Sequence, residues 1–385
     1  MVSPLKNRLD KFKKPIIGIA LFVSCQLLAA SGYAETPRYV RVAIVQDSVS
    51  IRLKIRGFYE VVDAYSRKAI FRGKNINTTV TADKEGILLG NLKARSNKVS
   101  LQADDPEAII INGRRFRGNI RLIKKDNLRL LVINYLDLED YIKGILYHEV
   151  SHYWPMEALK AQAIVSRTYA VYQTQENRAK DYDVTCDIYS QVYGGKTSER
   201  YRTNKAVAGT EGRVMVYKGK VFPAYFHATC AGHTEDASLL WNINLPPLKG
   251  VVCNFCQESP HFRWHQVLSL EELGEKLREA GKKIDRIKSI IILGRDNSGR
   301  ITDLKIASDK NELEISAKDF RNVIGPNIIR SANFNISVVN SDAVFEGKGW
   351  GHGVGLCQWG AYFMAKAGRR YDEILKYYYP GAQVQ

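Results

Sequence analysis

The chain has 385 residues, of which 45% are hydrophobic and 25% are charged, and it contains neither internal repeats nor low-complexity segments. This composition is that of a globular protein with two or three packed units, and it excludes a repeat architecture. The formal net charge of +17 favours an anionic partner, which is nucleic acid, a membrane surface or an acidic polymer.

The first 34 residues have the pattern of a secretory signal peptide. Basic residues precede an apolar run at 15–30 that is too short and too quickly ended for a membrane span. Small residues before Glu35 predict cleavage after Ala34, and an uncleaved anchor is the alternative. Lipidation of Cys25 is disfavoured because Phe22 stands where Leu is usual. The basic residues are Lys6, Arg8, Lys11, Lys13 and Lys14.

Export changes the choice of partner. Removal of the signal takes away five positive charges and one negative charge, which leaves +13. Because an exported protein does not meet DNA, we expect no nucleic-acid partner. An anionic cell envelope is favoured instead, with the protein secreted across the inner membrane into the periplasm or envelope. A charge that only keeps the protein soluble is the alternative.

Short alternating runs of apolar and polar residues occupy 36–135, with turn signals between them, and predict a β-rich N-terminal unit. Helical periodicity begins at 136–150. A longer helix is predicted within 151–177, where Pro155 suits the first turn and Glu157 favours the positive end of the helix dipole.

Strands return over 180–260, with a hairpin predicted at 212–229. Residues 266–340 have the pattern of a separate insertion. Within it the sequence predicts a helix that starts at Ser269 with Glu272 in the capping-box position, a hairpin over 289–308 and a second helix over 316–325. Two further helices, near 356–367 and 371–379, are ended by Gly368 and by Pro380 with Gly381.

The stretch "GKGWGHGVGLCQWGA" at 347–361 has glycine at alternate positions around His352. Such glycines allow positive φ and a close approach of substrate to the backbone. A helix then starts at once, so His352 and Gln358 are expected to line a cleft at its N-terminus. The alternative is a tight loop around a buried histidine that satisfies its own hydrogen bonds.

Glu149 lies just ahead of the long helix, among Tyr147, His148, His152, Tyr153 and Trp154. A carboxyl group near aromatic rings loses solvation, which favours its acid form and allows general acid catalysis near neutral pH. The alternative is an ordinary solvated glutamate in a turn. Metal binding at "EVSH" is disfavoured because the HExxH spacing is missing.

Two short motifs predict a structural zinc site, since a C-x2-H pair is followed by a C-x2-C pair. The predicted ligands are Cys230, His233, Cys253 and Cys256. His261 and His227 are substitutes for the fourth ligand, and a disulfide is the alternative in an exported protein. Cys186 and Cys357 are left unassigned, because spacing does not show whether they pair.

Several segments together resemble the SpoIID/LytB domain family, which comprises the sporulation stage II D proteins and the amidase enhancers. They are "LDLEDYIKGILYHEVSHYWPMEALKAQAIVSRTYA", "CDIYSQVYGG", "YFHATCAGHTEDA", "PPLKGVV" and "GWGHGVGLCQWGAYFMAKAG", with "YDEILKYYYPG" after them. The match runs in order over 40–381.

The resemblance implies an α+β fold in which a SpoIID-like catalytic core carries a β-rich N-terminal unit and an inserted α/β subdomain. The predicted division is a signal peptide at 1–34, the N-terminal unit at 36–135, the first part of the core at 136–265, the inserted subdomain at 266–340 and the C-terminal part of the core at 341–385.

The resemblance also implies a peptidoglycan lytic transglycosylase that cuts the MurNAc–GlcNAc bond of glycan strands, preferably strands without stem peptides. Glu149 falls on the catalytic glutamate of the family's G-x-x-x-x-E-M-P motif. This chain departs from the motif after the glutamate, where Val150 and Ser151 replace the usual Met-Pro. The residues expected to bind sugar or stabilise charge are Arg167, Gln191, Tyr193, Thr229, His352 and Gln358. Arg167 is alternatively a packing residue.

A lytic transglycosylase needs only one carboxyl group, whereas a glycoside hydrolase usually needs two. No cofactor is required for that chemistry, and any zinc is expected to be structural. The alternative function is a non-catalytic glycan-binding module that recruits or stimulates a cell-wall amidase. A zinc amidase is disfavoured, because three thiolate ligands suit a closed structural site better than an open catalytic one.

Overall fold

The part of the chain that the computed structural model describes comprises residues 37–187 and 190–385. Its helices and strands form an α+β fold, which confirms the predicted fold class. The predicted signal peptide at 1–34 lies outside the described residues. Among the residues described, no helix is both long enough and apolar enough to cross a membrane.

An eleven-stranded sheet contains the β-rich N-terminal segment. Its main path runs β11-β1-β10-β9-β6-β2-β3-β4-β5, and β7 pairs with β2 and β8. Alternate side chains of these strands are buried, because successive residues of a strand point to opposite faces. The strands are β1 (Tyr39–Ser48), β2 (Ile51–Asp63), β3 (Ala69–Asp83), β4 (Gly86–Leu89), β5 (Leu92–Ala94), β6 (Lys98–Ala103), β7 (Ile109–Ile111), β8 (Arg114–Phe116), β9 (Asn119–Lys124), β10 (Leu130–Asp137) and β11 (Val184–Thr185).

Two helices follow β10 and pack against this sheet. Helix α1 (Leu138–Glu149) starts directly after the strand, where the Asp137 side chain accepts a hydrogen bond from the Glu139 N–H. Helix α2 (Met156–Glu176) starts after Pro155, as the sequence predicts. Because α2 is covered on most of its circumference, it forms the central helix of the fold.

A second hydrophobic core lies on the other side of α2, and the C-terminal segment returns to it. Strand β22 pairs with β12, and β21 pairs in parallel with β14. The elements around this core are α3 (Tyr201–Ala208), β12 (Met215–Tyr217), β13 (Lys220–Val221), β14 (Phe226–His227), α4 (Ala237–Trp241), β21 (Leu356–Cys357), α7 (Gln358–Lys366), α8 (Tyr371–Tyr378) and β22 (Gln383–Val384).

The segment between these two halves, called the inserted segment below, has a hydrophobic core of its own, formed by buried residues between 264 and 345. Both of its helices start at a serine whose side chain accepts a backbone N–H, Ser269 for α5 and Ser316 for α6. Its elements are β15 (Arg263–Ser269), α5 (Leu270–Glu279), β16 (Ile287–Ile292), β17 (Asp303–Ser308), β18 (Glu312–Ser316), α6 (Ala317–Ile324), β19 (Phe334–Val339) and β20 (Asp342–Lys348).

Candidate active site

A cavity of about 930 Å3 lies where α1, α4, the inserted segment and the glycine-rich loop, residues 347–357, meet. Its volume is in the range of pockets that hold a small-molecule ligand or a short stretch of polymer. Polar and aromatic side chains line it together. They include Glu149, Tyr169, Gln191, Tyr225, His227, Glu235, Trp241, Asp296, Arg300, Lys318, Arg321, Trp350, His352 and Gln358.

Glu149 is the last residue of α1, and its half-buried side chain forms part of the cavity wall. Burial raises the pKa of its carboxyl group to about 7. A hydrogen bond with the Val192 backbone lowers the pKa by a smaller amount. No cation among the described residues forms an ion pair with it. A carboxyl group in this state is partly protonated at neutral pH, as a general acid must be.

Two of the five aromatic residues that adjoin Glu149 in the sequence face elsewhere in the structure. His148 turns away to bond Ser198, and Tyr153 is 79% exposed. Two rings that do lie near the carboxyl group are those of Tyr141, about two helical turns before it, and Tyr169 of α2. Helical geometry explains the direction of His148, because adjacent residues of a helix point in different directions.

The glycine-rich loop brings Gln358 to Glu149. The Gln358 side-chain amide donates a hydrogen bond of 3.1 Å to the backbone carbonyl of Glu149. Gly355 makes the approach possible, since its φ is +71° and a side chain there would collide with the carbonyl of Tyr225. The first residue of α7 therefore lies against the C-terminal end of α1.

His352 fits both expectations for the loop. It lines the cavity, and it is also buried with hydrogen bonds of its own. Its Nδ1 accepts the Val354 N–H at 3.1 Å, and it also bonds the Phe226 backbone. The ring packs edge-on against Trp241, with centroids 5.0 Å apart. Burial and nearby arginines lower its pKa to about 3, so the imidazole is neutral at physiological pH.

A second buried carboxyl group, Glu235, lines another part of the cavity wall. Its oxygens accept the Asp236 N–H at 2.8 Å and the Ser298 hydroxyl at 2.9 Å, and Arg300 lies 3.8 Å away. Burial and Asp296 raise its pKa, although Arg300 opposes the rise. Sequence reasoning missed this group, because Asp296 and Arg300 belong to a turn of the inserted segment that shows only a hairpin signal.

His227, another residue of the cavity lining, has a buried polar atom without a hydrogen-bond partner in the described part of the chain. Its Nδ1 bonds the Val354 carbonyl at 3.1 Å, while its Nε2 has no hydrogen-bond partner among the residues described. Burial and the neighbouring His352 hold its pKa well below the usual value, so Nε2 is a free acceptor. Such an unpaired acceptor is uncommon, because most buried polar atoms in folded proteins have a hydrogen-bond partner.

Comparison with known proteins places these features in a family. A family model described as Stage II sporulation protein matches residues 126–217, which include Glu149, and a model described as a domain of unknown function matches 248–355. An uncharacterised protein of Brachyspira hyodysenteriae is 36% identical over 349 residues, covering 90% of this chain and 92% of its own length.

Two relatives from Bacillus subtilis carry descriptive names. Stage II sporulation protein D is 31% identical over 267 residues, or 66% of this chain and 75% of that protein. The chain belongs to the SpoIID family. The Amidase enhancer of the same organism is 27% identical over 361 residues, which cover 80% of this chain and 50% of that protein.

Three of the six non-catalytic residues transferred from the SpoIID family motifs line the cavity: Gln191, His352 and Gln358. The Gln191 carbonyl oxygen accepts the Tyr141 hydroxyl at 3.1 Å, so its amide is held in a fixed orientation. Together with Glu149, these side chains come from three separate parts of the SpoIID-family sequence.

Arg167 is one of three residues that the structure places away from the cavity. It is fully buried, and two of its nitrogens bond the carboxylate of Glu139 at 2.7 Å each. A third bond, from Nη1, goes to the backbone carbonyl of Arg213 at 3.0 Å. All of its donor groups face inward from α2. Arg167 is therefore a packing residue and does not reach the cavity.

Tyr193 and Thr229 are also turned inward. The Tyr193 hydroxyl bonds the Asn134 side chain at 2.7 Å, within the hydrophobic core that the eleven-stranded sheet forms with α1 and α2. The Thr229 hydroxyl bonds that of Ser259 at 2.8 Å, and only 1% of the residue is exposed. In both cases the neighbouring residue of the motif reaches the cavity instead, because alternate residues of an extended chain face opposite sides.

The departure from the family's Met-Pro after the glutamate leaves a sharp helix end. Val150 is extended, with φ −144° and ψ 151°, and its N–H still bonds the Leu146 carbonyl. Its side chain is buried, and a turn closed by the Trp154 N–H and the Ser151 carbonyl leads into α2. Burial of Val150 therefore holds the turn without a proline.

The predicted metal ligands differ from the structure in one member. The sulfur atoms of Cys230, Cys253 and Cys256 do converge, but the fourth ligand atom is the sulfur of Cys357. His233 is excluded from the group, since its Nδ1 bonds the Thr234 carbonyl at 2.6 Å. The cysteines of the described residues are unpaired, and this buried four-cysteine cluster can hold a metal ion.

Proposed function

We propose that this protein is an exported cell-wall enzyme, a lytic transglycosylase that cleaves the MurNAc–GlcNAc bond of peptidoglycan glycan strands. The observation that carries the proposal is the Glu149 carboxyl group, set in a cavity wall with a pKa of about 7 and without an ion-pair partner. The relatives named Stage II sporulation protein D and Amidase enhancer support a role at the cell wall.

In the proposed reaction Glu149 acts twice. Its carboxyl group first donates a proton to the glycosidic oxygen, and the bond from that oxygen to C1 of the muramic sugar breaks. The resulting carboxylate then accepts the proton of the C6 hydroxyl as O6 attacks C1, which closes a 1,6-anhydro ring. Glu149 ends in its starting form, so neither water nor a metal ion is consumed.

The other cavity residues have proposed roles in binding. Gln358 holds the backbone of Glu149, and Gln191, which is 1% exposed and bonds the Tyr141 hydroxyl and the Ser166 carbonyl, holds the cavity wall beside it in place. The ring centroids of Trp241 and Tyr225 lie 4.4 Å apart, and the two rings form an apolar wall on which a sugar ring can pack. The neutral His352 beside them does not compete with Glu149 for its proton.

Glu235 is assigned to the cavity wall and not to the chemistry. A hydrolase would need its second carboxylate to face water or the sugar. Glu235 is only 1% exposed, and both of its oxygens accept hydrogen bonds from the protein. We therefore propose that its ion pair with Arg300 joins the inserted segment to the rest of the wall.

The test is a product assay on glycan strands that lack stem peptides. The purified protein is expected to release fragments that end in anhydro-muramic acid, identified by mass spectrometry. Glu149→Gln should abolish release, while Glu346→Gln, a change at an exposed position, should not. The absence of anhydro products at every pH, or full activity of Glu149→Gln, contradicts the proposal.

A non-catalytic module is the second candidate, and the name of the Amidase enhancer relative favours it. In that case the cavity binds glycan and the protein recruits or stimulates a cell-wall amidase. Wild type and Glu149→Gln would then bind glycan equally and stimulate an amidase equally, with no cleavage by either. Comparison of wild type with Glu149→Gln therefore distinguishes the two candidate functions in one experiment.

A further inference from the structure

Four cysteine sulfurs from three distant parts of the chain meet inside the second hydrophobic core. Cys230 follows β14, Cys253 and Cys256 lie in the loop before β15, and Cys357 is the N-cap residue of α7. All four residues have no exposed surface, and their sulfurs lie within 4.8 Å of one another. Each sulfur contacts the other three.

We propose that these four cysteines bind a structural Zn2+ ion. Zinc takes four thiolates at about 2.3 Å in a tetrahedron, which sets neighbouring sulfurs about 3.8 Å apart. The Cys230 and Cys256 sulfurs are 3.5 Å apart, far from the roughly 2.05 Å of a disulfide bond. Soft thiolate ligands in this number select zinc over magnesium or calcium.

The surroundings of the cluster suit a thiolate site. The N–H groups of Cys230 and Gly360 each donate to the Cys357 sulfur at 3.3 Å, and the Tyr378 hydroxyl lies 3.2 Å from the Cys253 sulfur. Such donors stabilise metal-bound thiolates. Glycine at 360 leaves room for these donors, since a side chain there would collide with the Tyr378 hydroxyl and crowd the Cys253 sulfur.

The ion would be structural, because all four coordination positions are filled by protein and none is left for water or substrate. It would tie together two walls of the cavity. Cys357 directly precedes Gln358, which bonds Glu149, while the Cys230 carbonyl accepts Arg300 Nη2 at 2.8 Å. Loss of the ion is therefore expected to loosen the glycine-rich loop first, independently of any glycan chemistry.

The test measures metal content, so its outcome does not depend on the proposed enzyme activity. The protein purified without chelator or added metal should contain one zinc per chain by inductively coupled plasma mass spectrometry. Replacement by cobalt should give the visible and near-ultraviolet bands of a tetrahedral thiolate complex. Cys253→Ser and Cys357→Ser should lose the metal, while His233→Ala should retain it.

Cys186→Ser is the matched control, because that half-buried thiol lies against the Ile44 carbonyl and outside the cluster. It should keep full metal content. Retention of zinc by Cys357→Ser, or its loss in His233→Ala, overturns the ligand set. If the serine variants fail to fold, the metal content of the wild-type protein still tests the proposal. Wild type without metal, with the cluster sulfurs oxidised to disulfides in peptide mapping, overturns the site.

Discussion

The side-chain amide of Gln358 holds the backbone carbonyl of Glu149 across 209 positions of sequence, at 3.1 Å. It also lies 3.5 Å from the side-chain oxygen of Gln162 on α2. One side chain thus fixes the end of α1 against the two helices that flank it. The position of the proposed acid depends on that contact, since Glu149 is the last helical residue of α1 and the chain beyond it is extended.

Gln358→Ala is expected to lower kcat on glycan strands by about 10- to 100-fold, because a shift of about 1 Å in a catalytic group has that effect. The KM should change less, since the sugar-binding walls stay in place. Steady-state kinetics with circular dichroism as a folding check measures this. Gln102→Ala, at an exposed position of β6, is the control. An unchanged kcat would show that Glu149 keeps its place without Gln358.

The pH dependence of the reaction should reflect the first step, in which Glu149 must carry a proton. With a pKa of about 7 in the free protein, kcat/KM should be level below that value. Above it, kcat/KM should fall about tenfold per pH unit, because the protonated fraction does. A pH–rate profile on denuded strands measures the break. A rise in kcat/KM above pH 7 would mean that the carboxylate form starts the reaction.

The same group should make stability depend on pH. Its pKa is about 7 in the folded protein and about 4.5 when solvated, so folding is disfavoured progressively as pH rises from 4.5 to 7. Glu149→Gln carries no charge at any pH. Its gain in stability over wild type should be absent near pH 4.5 and reach at most about 3 kcal/mol above pH 7.

Urea unfolding of both proteins at pH 4.5 and pH 8 measures that difference. Glu346→Gln, at an exposed position, should show no pH-dependent gain. A Glu149→Gln protein that is less stable than wild type at pH 8 would indicate that the carboxylate makes favourable contacts, contrary to the environment described above.

Arg167→Met should destabilise the protein and leave glycan affinity unaltered in the fraction that folds. Breaking the buried pair with Glu139 leaves a carboxylate without its partner, which typically costs about 3 kcal/mol or more. Chemical unfolding measures the loss, and binding to insoluble glycan measures affinity. The control is Arg72→Met, since the Arg72 side chain is 78% exposed in its pair with Glu60. A stable variant that no longer binds glycan would restore the substrate-binding role.

Local signals in the sequence were sufficient for most helices. Ser269 and Ser316 are capping residues that precede amphipathic segments, and Pro155 precedes the longest helix, so each start depends on residues within one turn. Two-ligand motifs located three of the four clustered cysteines for the same reason.

Long-range pairings could not be deduced in this way. Cys357 joins the cluster from a position 101 residues after Cys256, and no spacing rule connects them. Arg167 has the residue type of a ligand-binding group, yet its partner Glu139 lies on the neighbouring helix. Arg300 reaches Glu235 only because the inserted segment folds back over the core. Each case depends on packing between elements, which periodicity does not specify.

Gly355→Ala should disrupt the glycine-rich loop. At φ +71° an alanine is strained, and its Cβ would collide with the carbonyl of Tyr225, which accepts the Leu356 N–H beside the pairing of β14 with β21. Strain and overpacking together should cost about 3 kcal/mol or more. Glycan cleavage should fall in parallel, because this turn carries Gln358 to Glu149.

Gly368→Ala provides the matched control, since Gly368 also has a positive φ, +87°, but no atom lies within 4 Å of an added Cβ. It should cost only about 1–2 kcal/mol, the strain of the left-handed backbone alone. Thermal unfolding of both variants, followed by the product assay below their melting temperatures, separates strain from collision. Equal effects of the two substitutions would mean that the loop yields to accommodate the methyl group, and the tight contact of the loop with Tyr225 would then not be needed to place Gln358.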